Sequence, residues 1–232
     1  MSLLRYFRLA TMSVTLAASA SGAAHAAEAN PHPSIRAMLG AKPVDQLDPR
    51  TTALIIVDFQ KEYFSGRMPI PDGQRALANA QRLLAFADSN RMPVFQIQHV
   101  APAGAAVFAV DGDTVAFQPG MLPRTHDVVL RKDTVSVFAS TDLDQQLKAL
   151  GVKTIVVAGL MTHACVAGAA RDAVPLGYHI VIASDASATR DITRADGRTI
   201  GKDALHEAAL AEIEDTFGDV MTTTAITGLP LR

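Results

Sequence analysis

The sequence predicts an α/β fold with three layers, α/β/α, built on a six-stranded, mostly parallel sheet. Three observations carry this. Short apolar, β-branched runs alternate with stretches of helical periodicity along most of the chain. Those runs are apolar on successive residues, as strands covered by helices on both faces require. The chain has 232 residues, 49% of them hydrophobic, which is enough for one sizeable core and leaves little room for a second domain.

The elements follow in order. Arg5 and Arg8 precede a weakly apolar stretch from Leu9 to Ala24, and Ala24-His25-Ala26 has the small-x-small pattern of a signal cleavage site. Residues 1–26 therefore read as a secretory signal peptide, with a periplasmic or secreted product starting near Ala27 and no membrane association after cleavage. An over-extended start, with Met12 as the true beginning or the whole segment as a disordered tail, is the alternative. Residues 27–50 are polar and carry Pro31, Pro33, Pro43 and Pro49, which reads as a linker with room for one helical turn. The remaining residues, 51–232, form the domain. Thr52 to Val57 is the first strand. Leu77, Ala80, Leu84 and Ala87 mark one apolar face of a helix over 75–90. Strands are expected at 93–100 and 127–131. A short helix carries Leu143, Leu147 and Leu150 and stops at Gly151. A fourth strand over 153–158 leads through Gly159 into a helix from about Thr162 to Val174. A fifth strand is expected over 178–183. The last helix carries Leu205, Ala209, Ile213 and Phe217, and a sixth strand is expected over 220–223.

Composition removes some functions. A formal charge of -2, no run of Lys or Arg, and no Trp argue against nucleic acid as a partner. One cysteine, Cys165, excludes an intramolecular disulfide.

In a parallel sheet, working groups gather at the carboxyl ends of the strands. Three reactive side chains are expected there: Asp58 after the first strand, Lys132 after the third and Cys165 just past the fourth. Singly, each has an ordinary role, as a turn former, a solvated charge and a core thiol. Together they make a nucleophile, a base and a cation. The passage from strand to helix at Gly159–Cys165 places the thiol in a first helical turn. Free amides, the helix dipole and a nearby ammonium would lower its pKa there. Asp58 would accept the thiol proton and return it to a leaving nitrogen, and the turn's amides would hold an oxyanion.

The stretches Ile55 to Gln60, Val128 to Lys132, Val157 to Val166, Ala170 to Ala173 and Ser184 to Ala186 resemble the isochorismatase-like cysteine hydrolases, a family that includes nicotinamidases and N-carbamoyl amide hydrolases. The resemblance runs from about Thr51 to Ile226. It implies a Rossmann-like hydrolase fold and a catalytic triad of Asp58, Lys132 and Cys165. It also implies a non-proline cis peptide between Leu160 and Met161, and an oxyanion site formed by the Met161 and Cys165 amides. The implied activity is cleavage of a C–N bond in a small amide-like substrate through a thioester acyl-enzyme, in a homo-oligomer. Members that bind a metal carry an Asp-x-His with a second histidine after the second strand. Here His99 has no partner histidine nearby, so neither metal nor cofactor is expected. Two other readings stay open: a vinyl ether hydrolase using Asp58 as acid, with Cys165 a bystander, and a non-catalytic binding protein bearing a free thiol.

Phe59, Gln60, Phe64, Phe138, Thr162 and His163 are candidate pocket residues by proximity to the triad, with core packing an equal reading for the aromatics, Tyr63 among them. His163 would touch substrate or cap the turn. His99 reads as structural, His206 as a surface or interface residue, and Asp185 as a cap at a strand end. Thr134 and Ser136 would tie the loop after Lys132.

Overall fold

The computed structural model describes residues 32–232. The expected signal segment, residues 1–26, lies outside them. Residues 33–232 form one compact unit. The part of the expected linker that is described docks onto it. Helix α1 (Ile35–Met38) is tied at its start by Ile35 N–H donating to Asp215, Arg36 pairs with Asp219, and Leu47 is buried beside Leu231.

The sheet holds β1 (Thr52–Val57), β2 (Val94–His99), β3 (Val128–Lys132), β4 (Thr154–Leu160), β5 (His179–Ala188) and, at its far edge, Asp219–Met221. A two-residue hairpin, β6 (Ile192–Thr193) and β7 (Thr199–Ile200), stands apart, so the edge strand is β8. The order is β3-β2-β1-β4-β5-β8, and every pairing in it is parallel. This is the expected α/β architecture.

Alternation along β1 shows how the layers are made. Leu54 and Ile56 face one core, with Leu77, Ala80, Leu83 and Leu84 of α2 (Gly73–Ser89) and Ile226 of α7 (Thr223–Thr227). Ala53, Ile55 and Val57 face the other core. There they meet α4 (Leu143–Ala149), α5 (Ala167–Ala173) and α6 (Lys202–Thr216), with the short α3 (Val137–Ser140) beside them. Each central strand is thus buried on both faces, which is why its residues are apolar without alternation.

Two elements differ from the sequence expectation. The helix after β4 does not start as an α-helix. Thr162–Val166 is a π-helical turn, in which the Met161 carbonyl accepts from both Ala164 N–H and Val166 N–H, and α5 begins only at Ala167. A wider turn of this kind recurs at functional sites. Strand β5 runs past the polar Ser184 and Asp185 to Ala188. A register shift lets Ser187 and Ala188 pair with Gly159 and Leu160, and Asp185 is satisfied by the Thr223 N–H and hydroxyl, each at 2.7 Å. The capping role expected for Asp185 therefore fastens β5 to α7.

Candidate active site

Val57 is the last residue of β1, and the chain turns at Asp58 with φ 55°, a left-handed conformation that Asp tolerates better than most side chains. Asp58 N–H still donates to the Ile97 carbonyl, so the carboxylate is fixed at the sheet's edge. Lys132 is the final residue of β3, and Cys165 lies in the π-helical turn after β4. The three converge. Lys132 Nζ is 2.8 Å from Asp58 Oδ2 and 3.4 Å from Cys165 Sγ. All three are buried, at 0%, 1% and 6% exposure for Asp58, Lys132 and Cys165.

Close approach of β1 to β4 makes this possible. Val57 pairs with Gly159, and a β-carbon on Gly159 would lie 2.5 Å from both Val57 Cβ and the Val57 carbonyl oxygen. Only glycine fits there, and the turn that carries Cys165 follows directly. The Leu160–Met161 peptide bond is cis.

Electrostatics set the roles. The Asp58 carboxylate faces the Lys132 ammonium, the Cys165 thiol and the His99 ring. Burial raises the Asp58 pKa, with Lys132 and then Cys165 opposing. That strengthens Asp58 as a proton acceptor. The thiol departs from expectation. Burial first, and the Asp58 carboxylate second, push Cys165 up to about 12, outweighing Lys132. The helix-dipole argument failed because the thiol sits in a wide turn beside a carboxylate, in an apolar setting that penalises a thiolate. Cys165 therefore rests as a neutral thiol.

His99, at the end of β2, was read as structural, yet its Nδ1 lies 2.8 Å from Lys132 Nζ. Burial and then the Lys132 charge lower its pKa. Donor atoms of Asp58, His99 and Cys165 lie within 4.8 Å of one another. Thr134 and Ser136 do tie the loop after Lys132: the Thr134 carbonyl accepts from Nζ at 3.2 Å, and Thr134 Oγ1 donates to the Ser136 carbonyl.

A family model for the isochorismatase domain matches residues 52–225. The chain belongs to the isochorismatase family. It is 32% identical over 190 residues to a secreted isochorismatase effector of Verticillium dahliae, covering 82% of this chain and 97% of the relative. It is 31% identical over 189 residues to a maleamate amidohydrolase of Pseudomonas putida, covering 75% and 84%. The crystal structure of a cysteine hydrolase from Pseudomonas syringae superposes with a TM-score of 0.76 at 26% identity, covering 85% of this chain and 97% of that one. The protein is an isochorismatase-family hydrolase of α/β fold.

Around Asp58, Lys132 and Cys165 of this family member, the remaining candidates are distributed unevenly. Phe59 is fully buried in the α2-side core, and Phe64 packs against that core. Gln60 is fully buried and works on the backbone: its amide accepts from His99 N–H and donates to the carbonyls of His99 and Val115, at 2.7–2.8 Å. Phe138 stacks on Tyr178 in the other core, with ring centres 6.1 Å apart. Thr162 and His163 precede Cys165 in the π-helical turn. The Thr162 hydroxyl bonds His206 Nδ1 at 2.8 Å, and His163 Nδ1 bonds Thr189 Oγ1 at 2.7 Å. His206 is thus not a plain surface residue. It is half-buried because α6 packs on the nucleophile turn.

Two residues escaped the sequence reading. Phe108 sits edge-on to both His99 and Tyr63, with ring centres at 4.9 and 5.3 Å. Arg190 follows Thr189 past the end of β5. Its Nε is buried without a partner, and among the described residues its guanidinium has no carboxylate to pair with. Its charge reaches the Tyr63 hydroxyl and the His163 ring. Phe108 lies in a loop with no periodicity. Arg190 is two residues beyond a strand whose extension the sequence concealed.

Proposed function

We propose that this family member is a cysteine-dependent hydrolase that cleaves a C–N bond of a small amide through a thioester acyl-enzyme. The observation that carries this is the buried contact of Lys132 Nζ with both Asp58 and Cys165 Sγ, at 2.8 and 3.4 Å. In the first half, Asp58 takes the thiol proton as Sγ bonds to the amide carbon, and the Met161 and Cys165 amides hold the resulting oxyanion. The C–N bond then breaks. Asp58 passes its proton to the departing nitrogen, leaving a thioester. In the second half a water gives a proton to Asp58 and attacks the thioester carbon. The C–S bond breaks, the proton returns to sulfur, and the carboxylic acid product leaves. Lys132 offsets negative charge as it moves between Asp58 and sulfur.

Substrates that carry a carboxylate fit best. The guanidinium of Arg190, near His163, donates through Nη1 to the Asp191 carbonyl and has no partner at Nε. It supplies the complementary charge, and maleamate, named for the Pseudomonas putida relative, is an amide with a carboxylate.

The test is ammonia release from a panel of small amides, carboxylated and neutral, by wild type and Cys165→Ala. The reading requires a fall in kcat of roughly 10^4-fold or more in the variant, and mass spectrometry should find an acyl adduct on Cys165 in wild type. The family name favours a second reading, vinyl ether hydrolysis with Asp58 as acid. Undiminished turnover by Cys165→Ala would establish that one instead.

A further inference from the structure

We propose that His99 is a positioning residue: through Nδ1 it accepts one proton of the Lys132 ammonium and holds that cation between Asp58 and Cys165. This rests on the hydrolase reading above, which assigns the triad but gives His99 no part.

An ammonium has three protons, and burying it demands an acceptor for each. Lys132 is buried, and its Nζ has three acceptors at hydrogen-bond range: Asp58 Oδ2 at 2.8 Å, His99 Nδ1 at 2.8 Å and the Thr134 carbonyl at 3.2 Å. The sulfur, at 3.4 Å, is the fourth neighbour. His99 therefore fixes the direction of one N–H, and with it the direction of the other two. Sheet order makes the contact unavoidable. Strand β2 lies between β3 and β1, so a lysine on β3 reaches Asp58 on β1 only by crossing the end of β2, where His99 stands.

The imidazole is itself held. The Gln60 amide grips the His99 N–H and carbonyl, both at 2.8 Å, continuing the β1–β2 pairing beyond the last strand residues. Phe108 packs edge-on against the ring. The charged or titratable groups that face it are Lys132 and Asp133 from β3 and the turn after it, Asp58 from β1, and Cys165 from the nucleophile turn. A doubly protonated ring would set two cations 2.8 Å apart, and a neutral ring with its proton on Nδ1 would point one donor at another. The ring is thus neutral, its proton on Nε2 and its lone pair toward Lys132. With no acceptor at this place, the ammonium is left with Asp58, the Thr134 carbonyl and the weakly accepting sulfur, the cation shifts toward Asp58, and its support for a forming thiolate weakens.

The pair His99→Asn and His99→Leu tests this, because the two side chains are similar in size and only Asn places an acceptor near Nδ1. Two readouts are needed. The first is alkylation of Cys165 by iodoacetamide across pH, which needs no substrate. The second is kcat and KM on the amide found by the panel. His99→Leu should slow alkylation and lower kcat by roughly ten- to a hundredfold, the range for losing a hydrogen bond to a charged group, with KM nearly unchanged. His99→Asn should restore most of both. If His99→Leu does not fold, His99→Ala with the same readouts replaces it. Equal alkylation rates in wild type, Leu and Asn variants overturn the proposal. So does equal loss in Leu and Asn, which marks a structural role. Wild type that alkylates as expected yet hydrolyses no amide overturns the hydrolase reading and leaves the His99 comparison standing.

Discussion

Replacing Lys132 by Met removes the charge and keeps the stem, and its cost follows from the geometry. At 2.8 Å and an effective dielectric of about 20, the Lys132–Asp58 attraction is about 6 kcal/mol. Asp58 limits the loss by taking a proton. Its unfolded reference is 3.8, so carrying that proton in the folded state costs about 1.4 kcal/mol per pH unit above the reference, or about 6 kcal/mol at pH 8 and about 2 at pH 5. Removing one partner of a buried pair typically costs about 3–5 kcal/mol, and the same range is expected here at pH 8. The sign is fixed by the raised pKa of Asp58. A group held above its unfolded value contributes stability below that value and loses it as pH rises, and removing Lys132 raises Asp58 further. Urea denaturation of Lys132→Met at pH 5 and pH 8 should show the larger deficit at pH 8. The double variant Asp58→Asn/Lys132→Met has no buried charge left at this place and should recover most of the loss and its pH dependence. A deficit under about 1 kcal/mol that is flat in pH, or a double variant as weak as the sum of the singles, would show that the pair is not electrostatically coupled as argued.

Other outcomes follow from the same coordinates. Because the thiol is pushed up to about 12, alkylation of wild-type Cys165 at pH 8 should be slower than that of free cysteine. Its rate should still be climbing above pH 9, and a plateau near pH 7 would contradict the neutral resting thiol. By the same shift, wild type should lose stability relative to Cys165→Ser as pH rises from 9 toward 12, measured by urea denaturation. Gly159→Ala forces a β-carbon to 2.5 Å from Val57 and should cost about 1–3 kcal/mol; an unchanged denaturation midpoint would show that β1 and β4 can part. Intact-mass measurement on protein exported by a Gram-negative host should find a chain starting at Ala27, and a mass beginning at Met1 or Met12 rules out the cleavage.

The central strands were legible because burial on both faces writes itself into composition: Leu54, Ile55 and Ile56 are apolar whichever core they serve. Asp58, Lys132 and Cys165 were legible as strand-end polar groups that break those runs. The extension of β5 was not, because Ser184 and Asp185 look like a strand end, and only a register shift and the distant Thr223 let the strand continue. The thiol's electrostatics were misjudged for a related reason. A helix start can be read from sequence, but the balance among burial, Asp58 and Lys132 depends on distances that the chain order does not supply. Gln60 shows the same limit in reverse. Its closeness to Asp58 suggested a pocket residue, whereas its amide is spent on the His99 and Val115 backbones.

The strand order then explains why this site takes the form it does. Across the sheet, the carboxyl ends present Lys132 on β3, His99 on β2 and Asp58 just after β1. Past the ends of β4 and β5 come Cys165 and Arg190. A parallel sheet puts all its carboxyl ends on one side, so Lys132, His99, Asp58 and Cys165 need no loop rearrangement to meet. Adjacent strands lie about 4.8 Å apart, so Asp58 and Cys165 need only short side chains to face one another, and they have them. Lys132 is one strand further out and has to cross β2, a span of about 10 Å that only a long side chain covers. That crossing is what requires a group on β2 able to accept from an ammonium without neutralising it. A carboxylate at position 99 would compete with Asp58 for the cation, and an apolar residue would leave the weakly accepting sulfur as the ammonium's third acceptor; a neutral imidazole does neither.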